Sequence, residues 1–365
     1  MLHKLESKTT MEDEEMNDTM PDMKQVNHMG SQGCQIAEQN NYYGMSYHDT
    51  KELCLDLIKN QLSQFREVAA KEANERAEKL QNELFKKLEE KKVSDQDIAE
   101  EFKNPDMQYA YIEAQKAYIR IGTDELQEML TSLLVNRIEE KDRNLLQIVL
   151  GEALSVVPMM LPEQLDILAM VFIVRYTKSL KIVSLESLKE YIEKSIIPFL
   201  HDNMGKYSLY QHLVYAKVGS IDVTSYTLMQ KFKNAYPGLF LVGFSEDDIK
   251  EWAQKYPELF VKNLHDHELL QFRVMDTDVL KSECTRLNVS DDDCRKMTDM
   301  FKKNIMDDKK IKEVLIDLVP EIDRLFEFWD KGTIKQLSLS SVGIVLGAER
   351  ARQIIGEEFD LSIWI

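Results

Sequence analysis

The sequence predicts a mainly α-helical protein: a multi-helix bundle with a short polar β leader and a small C-terminal helical cap. Breakers are scarce, with Gly 13 and Pro 8 in 365 residues, and Leu, Glu, Lys and Met are abundant. One stretch, from Gly44 to about Lys92, holds apolar residues at Cys54, Ile58, Leu62, Phe65, Ala69, Ala73, Ala77, Leu80, Leu84 and Leu88. Every step is three or four residues, which draws one stripe along a helix. Start and stop signals of helices then recur down the rest of the chain.

Residues 1–22 read as a disordered acidic tail, with Glu12, Asp13, Glu14 and Glu15 set among few large apolar residues. Residues 23–45 form a polar leader rich in Gln and Asn, with Gly30 and Gly33 midway. Two short strands around a turn fit it, as does a flexible polar segment. A hairpin with so small an apolar face is marginal alone and gains most by pairing with other copies. The long helix follows, opened by Ser46 with Asp49 three residues on. Glu67–Lys71, Glu72–Arg76 and Glu75–Lys79 are favourably oriented pairs on its surface. Its alanines let another helix approach closely, within the chain or between chains.

Ser94 or Asp95 caps a helix through Phe102, which Asn104-Pro105 breaks. The next helix has Met107, Ala110, Tyr111, Ala114, Ala117 and Tyr118 inward and Gly122 as its C-cap. Thr123 opens another. RNLLQIVLGEALSVV is stopped by Pro158, and Pro162 sits in the first turn of PEQLDILAMVFIVRYTKSL. Ser184 and Ser187 are caps for SLESLKEYIEKSIIPFL. Residues 46–200 thus form a long-helix bundle domain. Residues 201–260 form a central α-rich unit with short β: HLVYAKVGSIDV has a β-like centre, and Ser245 with Asp248 is a capping box. Residues 261–365 form a C-terminal helical domain. There Ser340 or Ser341 opens a helix that Gly356 stops, and FDLSIWI ends the chain as an apolar strand or extended plug. No repeat with a period near thirty residues is evident.

The net charge of −18 opposes sequence-independent binding of nucleic acid, where Lys and Arg must displace counterions from phosphates. The same sign argues against an anionic membrane surface. The start, MLHKLESKTTMEDEE, has no apolar core of signal-peptide length, and no run approaches the eighteen or so apolar residues of a membrane span. Cys34, Cys54, Cys284 and Cys294 make no C-x-x-C pair. A cytoplasmic protein with free thiols is the expectation.

Catalytic patterns are thin. His265-Asp266-His267-Glu268 is the densest set of potential metal ligands, but neighbouring helical positions diverge by about 100°, so only a loop brings them together. A polar loop that opens the next helix explains the same residues. Cys284 and Cys294 lack two further ligands nearby and read as small buried apolar residues. Ser220, His212 and Asp222 are close in sequence but without a nucleophile elbow. Glu246, Asp247 and Asp248 read as the solvated first turn of a helix. No phosphate-binding glycine loop occurs. Met129 and Met170 read as core residues. No cofactor and no catalytic residue set is expected.

QIAEQNNYYGMSYHDTKELCLDLIKNQLSQFREVAAKEANERAEK resembles the N-terminal module of an uncharacterised family of bacterial proteins. The likeness continues through NPDMQYAYIEAQKAYIRIG, RNLLQIVLGEAL, IVRYTKSL, YQHLVYAKVGSI, LSSVGIVLG and DLSIWI. The family's strand motif has Gly-Asp/Asn-Asn-Ser-Thr before the Gln; this chain departs from it with Gly33 and Cys34. Similar leaders occur on proteins linked to phage defence. The resemblance implies a cytosolic bacterial protein and carries no catalytic set. The expectation is an oligomeric interaction, sensor or effector protein in antiviral defence. Ile36, Tyr42 and Tyr43 of the leader and Leu62, Phe65, Ala69 and Leu80 of the stripe would form its homo-oligomer interface. The other readings are a metal-dependent nuclease or hydrolase at His265 and His267, and a binder of a phage polypeptide through residues 201–260.

Overall fold

Helix follows helix through nearly the whole of the computed structural model, which describes residues 47–365, with side chains from Arg66 onward. The acidic tail, the leader and Ser46 lie outside the described residues. The chain divides into two units, residues 1–66 and Glu67–Ile365. Helix α1 (Tyr47–Glu90) crosses that division.

Local chemistry sets most of the later boundaries. Ser94 accepts from Asp97 N–H at the start of α2 (Asp95–Lys103). Asn104 caps α3 (Pro105–Ile121), whose C-cap Gly122 has φ 74°, a left-handed conformation that favours glycine. Thr123 caps α4 (Asp124–Glu139), and Asn144 caps α5 (Leu145–Val156), which gives way to a 3-10 turn containing Pro158. Pro162 opens α6 (Pro162–Val171), and a single π turn, Phe172–Tyr176, continues it. Ser184 and Ser187 cap α7 (Leu185–Ser195) reciprocally. Helix α8 (Tyr207–Tyr215) leads to strand β1, so the β-like centre of that stretch narrows to Gly219–Ile221.

The next two helices, α9 (Leu228–Ala235) and α10 (Glu246–Lys255), end alike. Tyr236-Pro237-Gly238-Leu239-Phe240 and Tyr256-Pro257-Glu258-Leu259-Phe260 are the same motif twenty residues apart. Each tyrosine breaks its helix with nearly identical dihedrals, φ −136°, ψ 48° and φ −133°, ψ 59°. Each proline then starts a 3-10 turn, and the Leu and Phe of each motif are buried.

Strands β2 (Phe260–Lys262) and β3 (Leu270–Phe272) pair antiparallel, with Phe260 opposite Phe272. Helices α11 (Thr277–Arg286) and α12 (Asp291–Lys303) pack with them into a small core of Leu241, Ile249, Phe272, Leu280, Met297 and Phe301. Helices α13 (Asp308–Leu318) and α14 (Ile322–Lys331) return to the larger core, and β4 (Leu337–Leu339) pairs antiparallel with β1. Ser340 caps α15 (Ser341–Ile355), which Gly356 ends.

The larger core extends from Leu80 to Ala351. Helix α15 lies inside it, against α4, α5, α6 and α7. Two glycines permit that approach: a Cβ at Gly347 would stand 2.7 Å from the Leu168 carbonyl oxygen, and one at Gly343 would collide with the Val218 carbonyl. Met129 and Met170 are core residues.

The end of the chain differs from the sequence expectation. FDLSIWI forms a 3-10 turn over Leu361–Ile363 in place of a strand, because the Asp360 carboxylate accepts the Ser362 N–H at 3.1 Å. It still plugs the core: the Phe359 and Trp364 rings meet Phe172 edge-on at 5.0 Å, and Trp364 Nε1 donates to the Tyr176 carbonyl.

Candidate functional site

The stripe of α1 divides into two stretches. Leu80, Leu84 and Leu88 are wholly buried by the chain's own α-bundle. Upstream, Ala69 is exposed, and Ala73 and Ala77 are half-buried. Between Arg66 and Lys79 no side chain is buried. Of the interface residues expected from sequence, Leu80 therefore lies in the monomer core and Ala69 on the surface. Ile36, Tyr42 and Tyr43 lie outside the described residues, as do the side chains of Leu62 and Phe65.

The buried stretch is fastened by polar contacts along its flank. Arg76 donates to the Ile119 carbonyl at 2.6 Å, and Gln127 Nε2 donates to the Lys79 carbonyl at 3.0 Å. Lys79 pairs with Asp124 at 2.5 Å. Further along, Lys87 Nζ lies 2.6 Å from both Glu128 Oε1 and Ser132 Oγ. Arg352 of α15 reaches the same two groups at 3.0 and 2.7 Å and also holds Glu349, only 5% exposed, at 2.6 Å. Burial by itself raises the Glu128 carboxyl, but the hydrogen bonds from Lys87 and Arg352 outweigh it and hold the group below its ordinary value.

Three cavities of about 510, 430 and 230 Å³ follow one another along this seam, joined by shared lining residues. The Lys91–Glu358 pair, 3.6 Å apart, borders the last two. The seam is a groove of mixed charge in which Lys79, Lys86, Lys87, Lys91 and Arg352 each already face a carboxylate. Its chemistry is that of a clasp between α1, α4 and α15.

The other sequence candidates separate in space or are committed elsewhere. His265 and His267 sit in the β2–β3 connection, a loop as their convergence required. Asn263, fully buried, shapes that loop by accepting from the His265 and Asp266 N–H groups at 2.9 Å. His265 Nε2 hydrogen-bonds the Leu239 carbonyl at 2.7 Å, so that nitrogen carries the proton and its lone pair is not free for a metal. Among the described residues, no group of three or more His, Cys, Asp or Glu is placed to hold a metal ion. Ser220 donates to Asp222 at 3.1 Å, while His212 turns to Gln164 at 2.9 Å, so the three do not form a triad. Asp248 completes the cap of α10 with Ser245. Among the described residues no helix is long and apolar enough to cross a membrane.

Sequence reasoning passed over two features. One is the Tyr-Pro-x-Leu-Phe repeat, visible in the sequence at a period shorter than the one sought. The other is the Lys87–Glu128–Arg352 clasp, whose members are scattered along the chain and meet only through packing.

No curated protein and no solved structure matches the chain. A protein-family model described as ":-like" matches residues 44–365. The match starts at Gly44, at the threshold of α1, and takes in every helix and strand described above. The chain belongs to this ":-like" family.

Proposed function

We propose that this protein works by self-association, as an interaction protein of bacterial antiviral defence. The observation that carries the reading is the open upstream stretch of α1. Ala69 lies on a helical face whose continuation at Leu80, Leu84 and Leu88 is fully covered. Small residues at Ala69, Ala73 and Ala77 suit the close approach of a second helix of the same kind. A second copy of α1 supplies that helix, and in this reading the Gln/Asn-rich leader just before it joins the same assembly. The resemblance of that leader to modules on phage-defence proteins supports the antiviral setting.

The mass in solution tests the assembly. Full-length protein is expected to exceed the monomer mass, and a chain lacking residues 1–45 to fall toward it. Equal monomer masses for both would remove the idea. An Ala69→Glu variant changes an exposed position only, so it is expected to keep its helical circular dichroism while losing mass. For the setting, bacteria that express the protein should plate phage less efficiently than bacteria carrying the Ala69→Glu variant.

A further inference from the structure

Cys284 and Cys294 read from sequence as two unrelated apolar positions, yet the fold brings them together. Cys284 lies in the last turn of α11 and Cys294 in the first turn of α12. Four residues, Leu287–Ser290, reverse the chain between the helices, with Asn288 at φ 52° making the corner. The Val289 N–H donates to the Cys284 carbonyl at 2.9 Å, and the Cys294 N–H donates to the Ser290 carbonyl at 2.8 Å. Each cysteine is thus tied by one backbone hydrogen bond to adjacent residues of the same corner. Cys284 is buried in the smaller core, Cys294 packs on that core from a half-exposed position, and both are free. Cys284 and Cys294 pack on the same small core from either side of that corner.

We propose that Cys284 and Cys294 form a redox modification site at which a peroxide converts the two thiols into a disulfide joining α11 to α12. Access sets the order of events. Burial, and after it the proximity of Cys294, push the Cys284 thiol up to about 12, so it is not the first to react. The Cys294 thiolate attacks one peroxide oxygen, the O–O bond breaks and hydroxide leaves, which gives a sulfenic acid. That product is neutral, so the charge that opposed ionisation of Cys284 is gone. Cys284 then yields its proton to hydroxide and attacks the Cys294 sulfur. The S–S bond forms, the S–O bond breaks, and the departing hydroxide takes a proton. The two thiols lose two electrons and two protons, and the peroxide becomes two waters. A zinc site is the poorer reading, since two sulfurs leave two of four positions without a protein ligand.

Trypsin separates the two residues, into peptides 282–286 and 287–295. Reduced full-length protein is treated with hydrogen peroxide, alkylated and digested without reductant. A linked pair of these peptides is expected, lighter than their sum by two hydrogens and released by dithiothreitol. In a Cys284→Ser variant under the same treatment, dimedone is expected to label Cys294. Three results would overturn the proposal: alkylation of both cysteines after peroxide, linkage of either to Cys34 or Cys54, or Cys294 driven to sulfinic acid beside an alkylated Cys284.

Discussion

Lys231 is 3% exposed, and its ammonium donates to the carbonyls of Ile173, at 3.4 Å, and Thr177. It thereby serves the end of the π turn, where carbonyl groups lack helical partners. Burial, helped by the nearby Lys178 charge, pulls its pKa from the ordinary 10.5 down to about 8. The folded state therefore binds this proton less tightly than the unfolded chain does. Between about pH 8 and pH 10.5 the unfolded chain keeps a proton that the native state has lost, so stability rises with pH across that window. The gain amounts to roughly 3 kcal/mol. Urea unfolding of wild type and of Lys231→Met at pH 7.5 and 9.5 checks it: the rise is expected in the first and absent in the second.

Arg352 makes a companion case. Its removal leaves Glu349 buried without its cation, so Arg352→Ala is expected to cost about 3 kcal/mol in the same assay. Arg352→Met together with Glu349→Gln removes both charges and is expected to cost clearly less. The acid limb follows from Glu128. Its carboxyl is held low in the folded state, so the stability it contributes is present near neutral pH and lost as pH falls through that lowered value.

At the scale of single elements, boundaries were the most legible feature of the sequence, because each depends on a few adjacent residues. Ser245 with Asp248, Pro162, Thr123, Gly122 and Gly356 all act where local chemistry puts them. Ser245→Ala is expected to cost about 1 kcal/mol, read as a lower thermal midpoint. The strand alternative for FDLSIWI fails because a signal equally present, an Asp two residues before a Ser, makes a turn. Packing distance was less legible. Nothing local says that Gly347 faces a backbone carbonyl of α6, yet with 2.7 Å available for a Cβ, Gly347→Ala must push α15 and α6 apart. A loss of about 1–3 kcal/mol is expected from unfolding curves. An alanine at Gly356, where nothing lies within 4 Å of the added carbon, should suffer only the penalty of its positive φ.

For the whole molecule, the sequence was most informative about class and least about partners. Scarce Gly and Pro foretold helices. The stripe foretold burial but not the covering element, since periodicity records which face is apolar and not what lies against it. Leu80 is covered from within and Ala69 is open, though both sit on one pattern. The Cys284–Cys294 pair was hidden for a related reason: its closeness depends on how a four-residue corner turns.

Helix α15 packs against α4, α5 and α6, elements laid down some two hundred residues earlier. During synthesis, the grooves it fills stay empty until Ile355 has left the ribosome. The nascent protein must carry unfilled greasy clefts while the stretch between α6 and α15 is made, the condition under which chaperones bind and proteases cut. A chain cut after Lys335 would lose α15 and Trp364 together, and would be unable to mature instead of slightly shortened.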